Sequence, residues 1–378
     1  MHEFQPFVME RMMSKHEQDV DYNLSESGVH PILLSELLDL SQGALERLLS
    51  VDLNYPHANG IPSLRENVAR HYPGAGPDNV LITVGAIEAN YNTLWALLDP
   101  GDEIAVMRPN YMQVWGMAKN RGLSVKTFRL QEENGWRLDA GELESVVTAA
   151  TKMIAVCNPN NPTGRILSEE EMDQIVATAE RAGCWILADE VYRGAERSRQ
   201  DETPSFYGRY DKVVATGSMS KAYGMPGLRL GWAVAPEPVI DELWARHEYT
   251  TISAGMLDNH LASLALSADV RPRLIARARD YIRGGYPILE KWISEHPGMF
   301  HLTPPDAAAI CFVRYDLDIN STALVDLLRE QKSVLIVPGD HFGVDRCLRI
   351  SFGLPHDYLT AALDRIHEAI ESLTTARV

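Results

Sequence analysis

The sequence predicts an α/β fold, with a three-layer α/β/α large domain on a mostly parallel sheet and a smaller α/β domain after it. Three observations lead there. Between residues 80 and 235, short apolar runs alternate with amphipathic helical stretches, the pattern of a parallel sheet covered on both faces. After about residue 265, longer helical stretches surround a few short strands, which marks a second unit. The 378 residues, 45% hydrophobic and 23% charged, are enough chain for both cores.

The elements follow in order. Residues 1–45 read as an N-terminal arm packing with the smaller domain, 46–265 as the large domain and 266–378 as the small one. A strand is expected over 79–84 and a helix over 86–98, then strands over 103–107, 125–130, 153–156, 185–188 and 213–216. Ser168, with Glu171 three residues on, caps a helix over 168–181. In the second unit, helices over 270–295, 322–331 and 357–373 accompany strands near 310–313, 334–336 and 348–350.

Composition narrows the function. Thirty-five basic against 52 acidic residues give a net charge of −17, which disfavours nucleic acid or an anionic membrane as partner. Cys157, Cys184, Cys311 and Cys347 show no C-x-x-C spacing and lie in or beside apolar runs, so buried free thiols in a reducing compartment are expected. The start, Met1 to Pro6, has no signal-peptide pattern, and no apolar run approaches the ~20 residues of a membrane span, so a cytoplasmic location is expected. Gly74-Ala75-Gly76 lacks a third glycine and a preceding strand, and is no dinucleotide fingerprint.

The most informative residue is Lys221, in Ser218-Met219-Ser220-Lys221-Ala222-Tyr223-Gly224-Met225-Pro226-Gly227-Leu228-Arg229. A lysine emerging from a buried strand end is partly desolvated, which lowers its pKa and suits it to Schiff-base chemistry. Ser218, Ser220 and Arg229 suit a phosphate, and amine, hydroxyls and guanidinium together describe a site for pyridoxal 5′-phosphate (PLP). Taken alone, the same lysine also fits an ordinary loop. Other strand ends carry further candidates. Asp189 ends Ile186-Leu187-Ala188 and can hold a pyridine nitrogen protonated, with Tyr192 three residues later. Gly85-Ala86-Ile87 opens a helix, where backbone N–H groups can seat a phosphate. Asn158-Pro159-Asn160-Asn161-Pro162-Thr163-Gly164 is a rigid turn whose amides can reach a ligand, and Arg349 lies in an apolar strand, where a planar fork can take a carboxylate.

N-N-P-T-G, the strand-end aspartate and the lysine run, in this order, resemble the class I/II aminotransferases (fold type I PLP enzymes) over roughly residues 20 to 370. The resemblance implies an aspartate aminotransferase-like large domain with a seven-stranded sheet. It also implies that Lys221 anchors PLP and removes the substrate α-proton, Asn161 and Tyr192 address the phenolic oxygen, and Tyr111 stacks on the ring. Arg349, with Gly28 and Asn161, is expected at the substrate, and Tyr55 is expected to reach the phosphate of a neighbouring subunit in a homodimer. The implied reaction is transamination of a free L-amino acid through a Cα carbanion.

Three further stretches, 25–30, 248–253 and 337–343, resemble capreomycidine synthase and related arginine-cyclising enzymes, which dehydrate and cyclise a hydroxylated arginine. A guanidinium substrate needs acidic partners, and Glu10 and Asp21 are candidates; the role of His30 stays open. Tyr192 departs from those cyclases and agrees with transaminases. A non-catalytic regulatory module on the same fold is a third reading, opposed by the intact Lys221, Asp189 and Arg349.

Overall fold

The computed structural model describes residues 4–375. The arm carries α1 (Val8–His16), the two-residue β1 (Tyr22–Asn23) and α2 (Leu34–Asp39); α3 (Ala44–Leu49) and α4 (Pro62–Ala69) lead on into the large domain. The large sheet is built from β2 (Val80–Thr83), β3 (Glu103–Arg108), β4 (Ser124–Gln131), β5 (Arg137–Leu138), β6 (Thr151–Cys157), β7 (Trp185–Asp189), β8 (Val213–Ser218) and β9 (Gly231–Val234). Its helices are α5 (Gly85–Leu97), α6 (Gln113–Asn120), α7 (Ala140–Val146), α8 (Glu169–Ala182), α9 (Glu237–His247) and α10 (Met256–Ala265).

The strand order is β2-β9-β8-β7-β6-β3-β4-β5. Strands β8, β7, β6, β3 and β4 are parallel, while β9 runs antiparallel to both β8 and β2. The sheet therefore has eight strands rather than seven. The extra one, β5, turns back on β4 as a two-residue antiparallel edge, too short to announce itself as an apolar run.

Alternation along the strands makes the three layers. Ala105, Met107, Ile186, Ala188, Val213 and Ala215 face the larger core, together with Met172, Ile175 and Ala179 of α8. Their chain neighbours Ile104, Val106, Leu187 and Val214 face the opposite core, beneath α5, α6 and α9. Each such Ile, Leu or Val contributes roughly 1.5–3 kcal/mol when fully buried. Helix α8 starts as its sequence dictates: Ser168 Oγ accepts from Glu171 N (3.2 Å) and Glu171 Oε2 from Ser168 N (2.6 Å).

After α11 (Arg271–Ser294) come β10 (Phe300–Leu302), β11 (Ile310–Tyr315), α12 (Ser321–Lys332), β12 (Val334–Leu335), β13 (Val337–Pro338), β14 (Cys347–Ser351) and α13 (His356–Thr375). Strands β10-β11-β14-β13 form an antiparallel sheet. The strand expected over 334–336 is split between two partners, because β12 pairs with β1 of the arm and β13 with β14. All four cysteines are buried and free. Among the described residues no helix is long and apolar enough to cross a membrane.

The arm stitches the two sheets together. Leu24 N donates to Leu335 O (2.8 Å) and Ser351 N to Leu24 O (3.0 Å), while Val29 N donates to Lys221 O (3.3 Å) and His30 N to Gly353 O (2.7 Å). Gly28 sits at this crossing, where an added Cβ would lie 2.9 Å from Ser220 O, a backbone atom with little room to yield. Gly28→Ala is therefore expected to cost about 1–3 kcal/mol in overpacking. It should lower kcat by about tenfold through displacement of the lysine loop, as thermal melts and steady-state rates will check.

Candidate active site

Parallel strands bring their carboxyl ends to one edge, the usual place for a ligand crevice in an open α/β sheet. Cys157 of β6 lies in register with Asp189 of β7, and Asp189 with Thr216 of β8, so residues just beyond these strand ends converge. They line a cavity of about 280 Å³. Gly85, Ala86, Ile87, Tyr111, Asn161, Asp189, Tyr192, Ser218, Ser220, Lys221, Arg229 and Arg349 all reach it, as expected from the sequence.

Of the residues expected at cofactor or substrate, Gly28 and Tyr55 do not line this cavity. Gly28 stands behind the lysine loop rather than in the substrate space, because the arm crosses there backbone to backbone. Tyr55 is 82% exposed on the surface of its own chain. Asp21 is also remote: its carboxylate pairs with Arg365 at 2.7 Å on the outside of α13. The His30 ring packs on Tyr281, with centroids 5.6 Å apart.

The turn after β6 sorts its three asparagines. Asn158 Oδ1 accepts from Leu167 N (2.9 Å), and Asn160 Nδ2 donates to Pro109 O (3.1 Å), so both hold the loop. Asn161 is left to the cavity, where its Oδ1 accepts from Arg349 Nη1 at 3.0 Å. Arg349 is 2% exposed; its Nη2 donates to Ser25 O, and its Nε is buried without a hydrogen-bond partner. Tyr192 OH donates to Ser27 Oγ (2.9 Å), and Tyr111 OH donates to Glu10 Oε1 (2.6 Å).

Burial pushes the Lys221 amine below the usual lysine range; Arg349 and Arg229 push the same way, against Glu26 and Glu10. Burial also lifts Asp189 to about 6, despite opposing contributions from the Val191 N–H, Asn90 and Lys221. At the start of α5, Gly85 has φ +74°, and a Cβ there would lie 3.0 Å from Arg229 Nη2. Arg229 is exposed to the cavity, and none of the ion pairs among the described residues involves it.

These features fit PLP. A guanidinium, two hydroxyls and a helix start without a side chain in the way suit the phosphate. A buried carboxylate suits the ring nitrogen, and a desolvated amine suits the aldehyde.

Glu10, expected as an acidic partner, reaches the cavity from the arm, and the other residues beside it are ones that motif reading passed over. Glu10 and Met13 of α1, with Glu17, Glu26 and Ser27, close one side of the cavity, and Asn90 and Gln113 line its floor. The spacing of Met9 and Met13, both buried, was the available signal for α1. Asn90, one helical turn beyond Ala86 of the phosphate seat, carried its signal in that spacing.

The sequence matches the family Aminotransferase class I and II over residues 43–366. It is 31% identical over 359 residues to capreomycidine synthase of Streptomyces vinaceus, covering 92% of this chain and 89% of that protein. A PLP-dependent aminotransferase from Streptococcus suis superposes with a TM-score of 0.92 at 32% identity, over 98% of this chain and 99% of that one. The PLP-dependent cyclase OrfR gives a TM-score of 0.87 at 27% identity, over 97% of each chain. With the lysine, aspartate and arginine facing one cavity at the strand ends, the chain belongs to the class I and II aminotransferase family and is a PLP-dependent enzyme of the aspartate aminotransferase-like fold.

Proposed function

We propose that this enzyme exchanges the amino group of a free L-amino acid with a 2-oxo acid, acting in the cytoplasm as a homodimer. The observation that carries the reading is Lys221 sharing one cavity with Arg349 and Asn161. Among the described residues, Arg349 is hydrogen-bonded to the neutral oxygens of Asn161 and Ser25, so a substrate α-carboxylate is the stronger partner for it. Lys221, kept from protonating by burial, takes the α-proton as general base. Asp189 holds the proton on the ring nitrogen, and Asn161 and Tyr192 serve the phenolic oxygen. Ser218, Ser220, Arg229 and the N–H groups of Ala86 and Ile87 receive the phosphate, and Tyr111 covers the ring. The cofactor itself supplies the sink for the Cα electron pair. Tyr55, beside exposed Leu49 and Leu53, belongs to the surface that a second copy covers, from which it reaches the neighbour's phosphate.

A second reading, cyclodehydration of a hydroxylated arginine-type amino acid, is favoured by the likeness to capreomycidine synthase and OrfR. It is also favoured by the half-buried Glu10, Glu17 and Glu26 on the cavity wall. Burial, then repulsion from Glu26 and Glu10, raises the Glu17 carboxyl, a strain that a bound cation relieves. Both readings therefore expect a cationic side chain, and Tyr192 supports transamination.

A panel of amino acids, including arginine and hydroxylated arginines, followed by mass spectrometry with and without a 2-oxo acid, tests the choice. Transamination predicts at most one equivalent of 2-oxo product per site without an acceptor and sustained turnover when one is supplied. Glu26→Gln should raise KM for cationic substrates about 10- to 100-fold and leave neutral ones unchanged. Loss of water with the amino group retained, independent of acceptor, selects the cyclase reading. No turnover of any amino acid removes both.

A further inference from the structure

Asn90 lies on α5 one turn beyond Ala86, so both face the cavity from the same side of the helix. It is 1% exposed, on a helix whose Ala89 and Leu94 pack into the opposite core. Its Nδ2 stands 3.3 Å from Asp189 Oδ2 and 3.1 Å from Gln113 Oε1, and its Oδ1 accepts from Thr216 Oγ1 at 3.1 Å. The orientation is fixed from outside. Gln113 Nε2 donates to Ile87 O at 2.5 Å, which turns Gln113 Oε1 toward Asn90. A flipped Asn90 would set its oxygen against two acceptors, a loss that the Thr216 hydroxyl, able to donate or accept, does not offset.

We infer that Asn90 is the positioning residue for Asp189: it holds the carboxylate ionised and aimed, so that Asp189 can keep the proton on the cofactor's ring nitrogen. The inference rests on the proposed pairing of Asp189 with that nitrogen.

Asp189 has few other partners. Its Oδ1 accepts from Val191 N at 3.3 Å, a long bond like the one from Asn90. The titratable groups around it are Lys221 from the loop after β8, the Cys157 thiol of β6 and Tyr192 from the turn after β7. Burial raises both the Cys157 thiol and the Tyr192 phenol well above their ordinary values, so neither supplies a charge. Among the described side chains bonded to Asp189, Asn90 is the donor that acts on the oxygen opposite Val191. Gln113, Asn90, Asp189 and Thr216 thus tie two helices to two neighbouring strands through one amide.

The test replaces Asn90 in the full holoenzyme with leucine, which keeps the volume and removes the donor, and with serine as a smaller second variant. In both, the midpoint of the acid limb of kcat/KM should move up by about one pH unit, because a carboxylate stripped of a donor binds its proton more tightly. The dissociation constant for PLP, read by fluorescence on reconstituted apoprotein, should rise about tenfold. In an Asp189→Asn background, Asn90→Leu should change neither quantity further. An unmoved acid limb and unchanged PLP affinity in folded Asn90→Leu and Asn90→Ser overturn the inference. If Asp189→Asn itself leaves PLP affinity and the pH profile as they were, it is the pairing of Asp189 with the ring that fails.

Discussion

Lys221→Ala is expected to retain the fold and lose turnover by at least about 10⁴-fold, the upper end for removing a positioned proton-transfer group. The loss is that large because one side chain is asked for two tasks, covalent attachment of the cofactor and removal of the α-proton. Borohydride treatment of the wild type should fix PLP to the peptide containing Lys221, while the variant should gain no mass there. The amine is held in a half-buried position with its charged form disfavoured by burial. Trimming it to a methyl group therefore removes a desolvated group, and the variant's melting temperature should equal or exceed that of the wild-type apoprotein. A borohydride-fixed cofactor in Lys221→Ala would overturn the assignment of the anchor.

Asp189→Asn should separate stability from activity. In the folded chain the carboxyl titrates near 6, raised by burial from an ordinary 3.8. Below about pH 4 both folded and unfolded chains hold the proton, and its burial costs nothing extra. As pH rises through 6, the unfolded chain releases the proton more readily, so the apoprotein loses up to about 3 kcal/mol from this one group. Asparagine does not titrate. Apo Asp189→Asn should therefore be more stable than the wild type at pH 8 by about 1–2 kcal/mol, after allowing for an amide facing the Asn90 donor. The gap should close as pH falls toward 4. The same variant should lose on the order of 10³ in kcat, because a buried charge aimed at the reacting system is gone. Equal apoprotein stability at pH 8 and pH 4 would show that the carboxyl is not titrating where its burial requires.

The residues legible in the sequence share a physical position. Asp189 ends an apolar strand, Asn161 follows one within a Pro-rich turn, and Lys221 lies three residues beyond Ser218. At such points a polar residue breaks a buried run, and the break is visible without a structure. Gly85 was visible for the same reason, at the switch from strand to helix. Glu17 and Glu26 carry no such mark. They reach the cavity because the arm folds back on partners nearly two hundred or more positions away, such as Lys221 and Gly353, and no local pattern encodes that return. The edge strand β5 and the antiparallel β9 escaped for want of length or of a distinct period. Gly28, expected at the substrate, stands at a close backbone crossing instead of on the cavity wall, since an absent side chain serves such a crossing as readily as it opens a substrate space.

The path of the arm also bears on how the molecule is made. Ser25, which caps Arg349, leaves the ribosome more than three hundred residues before that arginine does. Leu24 must wait for Leu335 and Ser351, and His30 for Gly353, before it has a partner. Neighbouring strands such as β6, β7 and β8 need no such delay, because they pair with segments close in sequence. The large sheet can thus form during synthesis, while the earliest segment of the chain is secured last. A polypeptide released short of its final strand would hold a sheet and a lysine, but the arm that crosses behind that lysine's loop would lack its anchors at Ser351 and Gly353.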